Sequence, residues 1–224
     1  MCDPSAVDSR HTGDVTIAPK QARSVASMNR MLDTAESLLD AGGPDALTVD
    51  AVVQAAHTST GSFYARFGDR QGLLVALQDR FLERLTESLV RTFDTSAADE
   101  DLTETIERLV VDFLDAFNTN RQAFVAFMLL NRSDPSMRDR GAQASRAAGD
   151  AIAQLLEPHR SEIAHPEPAL AADVAYRTLF AMATQTVMFD DHEISNRHYT
   201  DQSRATETAT LLLAYLRAER PGVD

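Results

Sequence analysis

The first sustained pattern of apolar residues runs at helical spacing from Met28 to Leu39, and two glycines follow it. Apolar positions three and four residues apart indicate an amphipathic helix. Gly42 and Gly43 supply the backbone freedom with which helices commonly end. The next helix is predicted to begin after Thr48, whose hydroxyl can cap it. Its apolar positions share one face: Val49, Val52, Val53 and Ala56.

A third helix follows after a turn of only a few polar residues. The segment from Thr60 to Phe67 places Phe63 and Phe67 four positions apart, and therefore on one face. Tyr64 and Arg66 point mostly elsewhere. Two short helices joined by a tight turn, with one buried and one free face, are typical of a helix-turn-helix DNA reader.

The rest of the chain is helical in pattern, with no strand-like alternation of Val, Ile and Thr. A long helix from Asp69 or Arg70 to about Phe93 is predicted to join the reader to a second domain. A polar break over Thr95–Asp101 follows it. The Ala- and Gly-rich helix from 135 to about 157 has small residues, which predict that neighbouring helices approach it closely. The later helices are predicted over Leu102–Asn118, Gln122–Asn131, 135 to about 157, Ala169 to about Phe189, and Gln202 to about Ala218.

These elements predict an all-α fold of about nine helices. Residues 1–24 lack an apolar period and contain Pro4, Gly13 and Pro19, so we expect a mobile N-terminal tail there. Residues 25–70 form the predicted three-helix helix-turn-helix DNA-binding domain. Residues 71–224 form the predicted second domain, of roughly six helices.

The segment from about Met28 to Leu77 resembles the N-terminal domain of the TetR/AcrR family of bacterial transcriptional repressors. That family carries a Gly-Thr-Leu-Tyr-x-x-Phe-like run, then a small or polar pair, a basic residue and Leu-Leu. The corresponding residues here are Gly61, Ser62, Phe63, Tyr64, Ala65, Arg66 and Phe67, then Gly68, Asp69, Arg70, Leu73 and Leu74. The resemblance implies a recognition surface of Thr60, Gly61, Ser62, Tyr64 and Arg66, with Tyr64 and Arg70 holding phosphates.

Side-chain chemistry adds to this set of DNA-binding residues. Arg70 follows the predicted cap Asp69, so its guanidinium could join the amides of the helix start in binding a phosphate. Arg66 is the candidate base reader, because a guanidinium can form two hydrogen bonds to guanine in the major groove. Thr48, at the start of the preceding helix, completes the predicted set.

Three residues depart from the family pattern. His57 and Thr58 occupy a turn that usually holds glycine and an apolar residue. Asp50 stands where a basic or neutral residue that faces phosphate is common. Its carboxylate would either repel the DNA backbone or favour the positive end of its own helix, so register and affinity on DNA stay open.

The overall charge is unusual for a DNA-binding protein. The chain has 21 basic and 34 acidic residues, a formal net charge of −13. Residues 1–80 contain seven basic and ten acidic residues, so most of the acidic excess lies beyond the reader. Between Ile17 and Leu32 stand Lys20, Arg23 and Arg30 without any acid. This stretch is either an arm along the duplex or an ordinary solvated tail, and the acidic body predicts modest affinity for random DNA.

Localisation and redox chemistry follow from what the sequence lacks. It has no signal-peptide core, and its longest other apolar run, Phe124–Leu130, is far shorter than the ~20 residues that span a bilayer. We therefore expect a soluble, cytoplasmic protein with no membrane partner. The single Cys2 excludes an internal disulfide and a thiolate metal cluster.

Aromatic and methionine residues cluster in consecutive helices of the second domain. Such a set either fills a core or lines a cavity for an apolar small molecule. The family resemblance implies the cavity, and so makes residues 71–224 a ligand-binding and dimerisation domain. An inducer would bind in the cavity, and the last two helices would pair into a dimer interface. The predicted ligand-binding residues are Phe113, Phe117, Phe124, Phe127, Met128 and Phe180. The predicted apolar seam between subunits is Leu170, Val174, Leu179, Ala183, Val187, Ala209, Leu212, Leu213 and Leu216.

Two alternative functions were weighed. A metal-dependent enzyme would need the cluster of Asp190, Asp191, His192, Glu193 and His198, which lacks the spacing of a helical zinc site and favours a solvated loop. No nucleophile, phosphate-binding or dinucleotide motif occurs. His159 and His165, beside prolines, are interpreted as surface-linker residues. A helical adaptor that has lost DNA binding is favoured by Asp50 and the acidic balance, but not by Tyr64, Arg66 and Arg70.

We therefore predict a ligand-responsive transcriptional repressor, not an enzyme, with no cofactor and no metal. It should bind a palindromic double-stranded DNA operator as a homodimer. A small apolar or amphipathic inducer would release the operator, by preferring a conformation in which the spacing of the two recognition helices no longer fits the DNA.

Overall fold

The computed structural model describes residues 17–94, 100–130, 134–189 and 191–219 of the 224-residue chain. Those residues form ten α-helices and two short 3₁₀ helices, and contain no strand. The all-α prediction is therefore confirmed. The helices are α1 Ile17–Gly42, α2 Val49–Ala55, α3 Thr60–Phe67, α4 Arg70–Asp94, α5 Leu102–Thr119, α6 Arg121–Leu130, α7 Pro135–Leu156, α8 Pro168–Met188, α9 Asp191–Ile194 and α10 Asp201–Leu216.

Helices α1, α2 and α3 pack together with the start of α4. Met31, Leu47, Val52 and Phe63 are fully buried between them. The Thr48 hydroxyl accepts a hydrogen bond from the backbone N–H of Ala51 and so caps α2, as predicted. These side chains belong to one hydrophobic core that continues into the second domain.

Helices α4, α5, α7, α8 and α10 form the body of the second domain, with α6 between α4, α8 and α1. Asp101 and Glu104 form a capping box at the start of α5. The Glu104 amide bonds to the Asp101 carboxylate and lowers the pKa of that carboxyl below its usual value. Helix α4 belongs to both parts of the fold, because its first residues pack on α3 and its later ones on α5 and α7.

The predicted boundaries need two corrections. Helix α1 begins at Ile17, within the stretch 1–24 that was assigned to a mobile tail. Pro19 is compatible with this helix, because in the first turn of a helix its missing N–H has no partner to lose. The four-residue helix α9 brings the described helices to ten instead of about nine. Residues 1–16 and most of the predicted break 95–101 lie outside the described residues.

In the described part of the chain, no helix is both long and apolar enough to cross a membrane.

Candidate DNA-binding surface and ligand cavity

Helix α3 is held in place by the apolar face that the sequence predicted. Phe63 is fully buried and Phe67 nearly so, with ring centroids 5.2 Å apart. The Ser59 hydroxyl caps the helix by accepting a hydrogen bond from the Ser62 amide at 3.1 Å. Gly68 ends the helix with φ of 74°, where glycine is favoured. The orientation of α3 is therefore fixed by its own core.

The opposite face of α3 is open. Thr60, Gly61 and Tyr64 are exposed, and the Tyr64 side chain stands edge-on to the Phe63 ring with centroids 5.7 Å apart. Ser62 is half-buried, and its hydroxyl oxygen accepts a hydrogen bond from Ser59 at 3.0 Å. Thr48 is exposed at the start of α2. Of the predicted recognition residues of α3, Thr60, Gly61 and Tyr64 are thus accessible, whereas Ser62 and Arg66 are half-buried.

Arg66 connects α3 to the beginning of α1. Its guanidinium donates to the Ser62 carbonyl oxygen at 2.9 Å and, at 3.4 Å, to the carbonyl oxygen of Ser24. The contacts to Ser24 are long and therefore weak. Arg66 is half-buried, so it would have to leave Ser24 to reach a base edge. This arrangement also brings the exposed Arg23 close to the recognition helix.

Arg70 has a different surrounding from the one expected of a phosphate-binding side chain. Its Nε donates to the Leu47 carbonyl oxygen at 2.6 Å, and one terminal nitrogen donates to the Pro44 carbonyl oxygen at 2.7 Å. Asp69 caps α4 as predicted, with its carboxylate accepting from the Gly72 amide at 2.8 Å. Arg70 thus ties the first residue of α4 to the connection between α1 and α2.

The departures from the family pattern have visible consequences at the turn before α3. His57 adopts a left-handed backbone conformation with φ of 49°, a region in which a non-glycine residue is disfavoured. The amides of His57 and Thr58 donate to the carbonyl oxygens of Gln54 and Val53. Asp50 is exposed in the first turn of α2. The turn is retained at a conformational cost that glycine would avoid.

A first prediction concerns the exposed face of α3. Tyr64→Phe should weaken binding to specific and nonspecific duplexes alike, because a phosphate contact carries no base information. Arg66→Ala should relax preference at one base position per half-site, at about 1–3 kcal/mol of discrimination. Titration of operator and nonspecific duplexes measures the first effect, and selection of binding sites from a random DNA library measures the second. If Arg66→Ala returns an unchanged site, Arg66 serves only to tie α3 to α1.

A cavity of about 370 Å³ lies within the second domain. Helices α4, α5, α6, α7 and α8 all contribute to its wall. This size is within the range of small-molecule sites. Phe117 is central to the aromatic part, with ring centroids 4.8 Å from Phe113, 4.8 Å from Phe124 and 5.9 Å from Phe180. All six predicted ligand-binding residues line the cavity: Phe113, Phe117, Phe124, Phe127, Met128 and Phe180.

Sequence reasoning missed the polar and small residues of the wall. The Tyr176 hydroxyl lies 2.7 Å from the Ser145 hydroxyl, and burial raises the pKa of Tyr176 above its ordinary value. Thr92 donates to the Asp112 carboxylate at 2.6 Å. The small residues of α7 line the cavity from Gly141 to Ala151, so their size leaves space for it. They had been expected only to allow close packing of helices.

Polar contacts join the cavity helices to the DNA-binding domain. Arg84 pairs with Glu36 of α1 at 2.8 Å, and Arg80 pairs with Asp33 at 2.6 Å. Helix α6, which supplies three of the cavity phenylalanine and methionine side chains, also contacts α1. A displacement of α4 or α6 by a ligand would therefore reach α1 directly.

The predicted apolar seam of α8 and α10 lies mostly inside the subunit. Leu179, Ala183 and Val187 are buried, as are Ala209, Leu212, Leu213 and Leu216, where α5, α8 and α10 meet. The most apolar faces of α8 and α10 are therefore used for packing within the subunit. The apolar side chains left exposed on these helices and just after them are Leu170, Phe189, Ile194, Tyr199 and Leu211.

The acidic cluster near the end of α8 is held by internal contacts. Asp191 pairs with Arg204 at 2.8 Å and accepts from the Tyr199 amide. That amide, together with Arg204, lowers the pKa of Asp191. His192 and His198 are exposed. Among the described residues no group of three or more His, Cys, Asp or Glu is placed to hold a metal ion, and Asp190 lies outside them.

His159 and His165 are not the surface-linker residues that the neighbouring prolines indicated. His165 is 3% exposed, and its ring packs against Tyr215 with centroids 5.3 Å apart. The His159 ring lies within 3.1 Å of both Thr105 and Glu162. The two imidazole side chains thus connect the 157–167 segment to α5 and α10.

Both parts of the chain match known protein families. Residues 31–77 match the family described as bacterial regulatory proteins, tetR family. Residues 101–216, more than half of the chain, match the tetracyclin repressor-like C-terminal domain. No curated protein shows significant similarity to this sequence.

Several solved structures share the fold. A protein with unknown function from Rhodococcus sp. RHA1 has 20% identity and a TM-score of 0.69, over 93% of this chain and 98% of that one. A TetR-like transcriptional regulator from the same source has 21% identity and a TM-score of 0.58, over 84% and 94%. The fatty acid degradation regulator FadR from Bacillus halodurans has 17% identity and a TM-score of 0.62, over 83% and 97%. At these identities the likeness is one of fold.

Proposed function

Because the chain belongs to the TetR family of bacterial transcriptional regulators, we propose that it is a repressor that binds a palindromic operator as a homodimer in the cytoplasm. A small apolar or amphipathic inducer in the cavity releases it from the DNA. Regulators of this family are not enzymes, so the metal-dependent enzyme considered above does not apply. The sensing mechanism, the operator and the inducer are the proposal.

One observation carries the proposal. Helix α4 begins three residues after the recognition helix ends, and nine of its residues, from Gln78 to Thr92, line the cavity. The same rigid element therefore contacts both the DNA-reading helix and the space in which a ligand would sit. A ligand shifts the equilibrium only by binding one conformation of this element better than the other.

Dimerisation is proposed through the outward faces of α8 and α10. Leu170 and Leu211 are about half exposed, and Phe189 directly after α8 is exposed to a similar extent. A two-fold interface would bury these side chains of both subunits against each other. It would also place two copies of α3 on one side of the dimer, for half-sites about 34 Å apart.

The inducer is proposed to have a long apolar part. The wall of the cavity is rich in phenylalanine and alanine, which favours apolar surface over polar groups. The similarity in fold to a fatty acid degradation regulator is consistent with an amphipathic ligand. The hydroxyl groups of Ser145 and Tyr176 add a polar patch to this wall.

The test couples two measurements. A compound that binds the folded protein should raise its melting temperature. At a hundredfold excess over Kd, binding adds about 2.7 kcal/mol to the free energy of unfolding. The same compound should lower operator affinity in a titration, because linkage is reciprocal. Ala148→Phe, which fills the cavity at a half-buried position, should abolish both effects while operator binding is retained.

Arg146→Ala is the matched control, because Arg146 is exposed on the same helix outside the cavity wall. It should respond to the compound like the unaltered protein. If stabilising compounds leave operator affinity unchanged, the sensor proposal fails. If no duplex DNA is bound above nonspecific affinity, the adaptor becomes the better account.

A further inference from the structure

The cavity is elongated. Its wall includes residues of α4 from Gln78 to Thr92, fourteen positions apart, which at 1.5 Å per residue is about 21 Å. Helix α7 accompanies α4 along this length, since the Met137 carbonyl accepts from Gln78 and the wall continues to Ala151. The space therefore suits a long, narrow molecule better than a compact one.

Asp112 places a carboxylate at the Thr92 end of the cavity. Asp112 of α5 lines the cavity and is half-buried, and its carboxylate accepts the hydrogen bond from the buried Thr92 hydroxyl. Ser88, one turn before Thr92, also lines the wall there. This end thus offers a negative charge and hydroxyl groups beside the aromatic rings.

Arg108, a cation on the same helix as Asp112, has other partners. Arg108 lies one turn before Asp112 on α5, but it pairs with Glu100 at 2.6 Å and donates to the Thr92 carbonyl oxygen. Glu100, Arg108 and Asp112 together carry a net charge of −1. Within this group of three residues, the charge of Asp112 is not balanced by Arg108.

The other charged residue of the cavity wall, Arg138, lies far from Asp112. Arg138 is exposed at the start of α7, next to Met137, and therefore at the Gln78 end. The separation along α4 is about 21 Å, twice the Debye length of ~10 Å at 0.1 M salt. The charge of Arg138 is screened there and does not neutralise Asp112.

We propose that the inducer is an elongated organic cation, with an ammonium head at Asp112 and Thr92 and an apolar body along the phenylalanine wall. A cationic head at Asp112 would pair with a carboxylate that is partly removed from water. The aromatic lining adds attraction for a cation. The inference rests on the proposed function, which places the inducer in this cavity.

Three ten-carbon probes test the head group: decyltrimethylammonium, decanol and decanoate, each below its micelle concentration. Binding to the full-length protein is measured by calorimetry and by the shift in melting temperature. We expect decyltrimethylammonium to bind about tenfold or more tightly than either of the other probes. Equal affinities, tighter decanoate, or no binding of the cation overturns the proposal.

Two variants locate the effect. Asp112→Asn has nearly the same shape and removes the charge, so the cation should lose about tenfold in affinity and decanol should be unaffected. Asp115→Asn is the control, because Asp115 is exposed on the same helix and outside the wall. It should change neither affinity. If decanoate binds best and Arg138→Gln weakens it, the head group is anionic and lies at the opposite end.

Operator titration in the presence of decyltrimethylammonium separates this inference from the proposed function. One outcome is that the cation binds through Asp112 and yet leaves operator affinity unchanged. This result would support the cationic ligand of the cavity and would refute the proposal that the cavity controls DNA binding. Operator release by decanol or decanoate, but not by the cation, supports sensing and refutes the cationic ligand.

Discussion

Gly72→Ala is expected to lose on the order of 3 kcal/mol or more of folding free energy. A Cβ atom at Gly72 would lie 1.8 Å from the carbonyl oxygen of Phe67 and 2.9 Å from its carbonyl carbon. Both are backbone atoms at the end of the recognition helix, so neither can turn away as a side chain would. The start of α4 would have to separate from α3, and operator binding should be lost with it. The unfolding midpoint in urea measures the change in stability.

Gly61→Ala is the matched control for stability. Gly61 is exposed in the first turn of α3, and a Cβ there would meet nothing within 4 Å. Alanine should therefore stabilise the helix by up to about 1 kcal/mol. Its operator affinity is a separate readout, because this surface is the proposed contact with DNA. A Gly72→Ala protein as stable as the Gly61→Ala protein would show that the α3–α4 junction tolerates displacement.

The DNA-binding domain could be predicted closely because its signals are local. Thr48 and Asp69 cap helices through bonds to residues three positions away, and the Phe63–Phe67 pair defines the buried face of α3. The role of Gly72 could not be derived, since it depends on how closely α4 approaches the end of α3. Helical spacing describes faces but contains no distance between elements.

The cavity was predictable in its aromatic part and not in its polar part. Consecutive helices with phenylalanine and methionine at helical spacing converge in this fold, and all six named side chains line the same space. The position of Asp112 could not be predicted, because an acid on an amphipathic helix is ordinarily solvated. Its place in the wall follows from the crossing of α4 and α5 at Thr92, a contact that no sequence pattern encodes.

The error at α8 and α10 has a similar cause. Leu179 and Leu216 are apolar at helical spacing, which is equally expected for a subunit core and for an interface between subunits. Both are fully buried within one chain. Only the three-dimensional packing shows that Leu170 and Leu211 remain outside and are available to a second copy. Helical periodicity shows which face of a helix is apolar, but only the packing shows whether that face is buried within one subunit or between two.

The second large effect is expected at Arg70. Arg70→Ala should lose about 2–4 kcal/mol of stability, because a half-buried guanidinium donates to the carbonyl oxygens of Pro44 and Leu47, and bonds from charged donors each contribute ~1.5–3 kcal/mol. The connection between α1 and α2 would lose its link to α4. The recognition helix would lose its fixed orientation, so operator affinity should fall as well. Urea unfolding and operator titration of the same samples measure the two effects.

Arg70→Lys decides between positioning and phosphate binding. Lysine keeps the charge but not the planar group that reaches two carbonyl oxygens at once. If Arg70 acts by positioning, lysine should recover less than half of the lost stability and of the lost operator affinity. If Arg70 binds phosphate, lysine should restore most of the affinity, and Arg70→Ala should lower the salt dependence of binding by about one charge per subunit at little cost in stability. The distances of 2.6 and 2.7 Å to Leu47 and Pro44 favour the first outcome, because a side chain so engaged would have to break both bonds to reach the DNA.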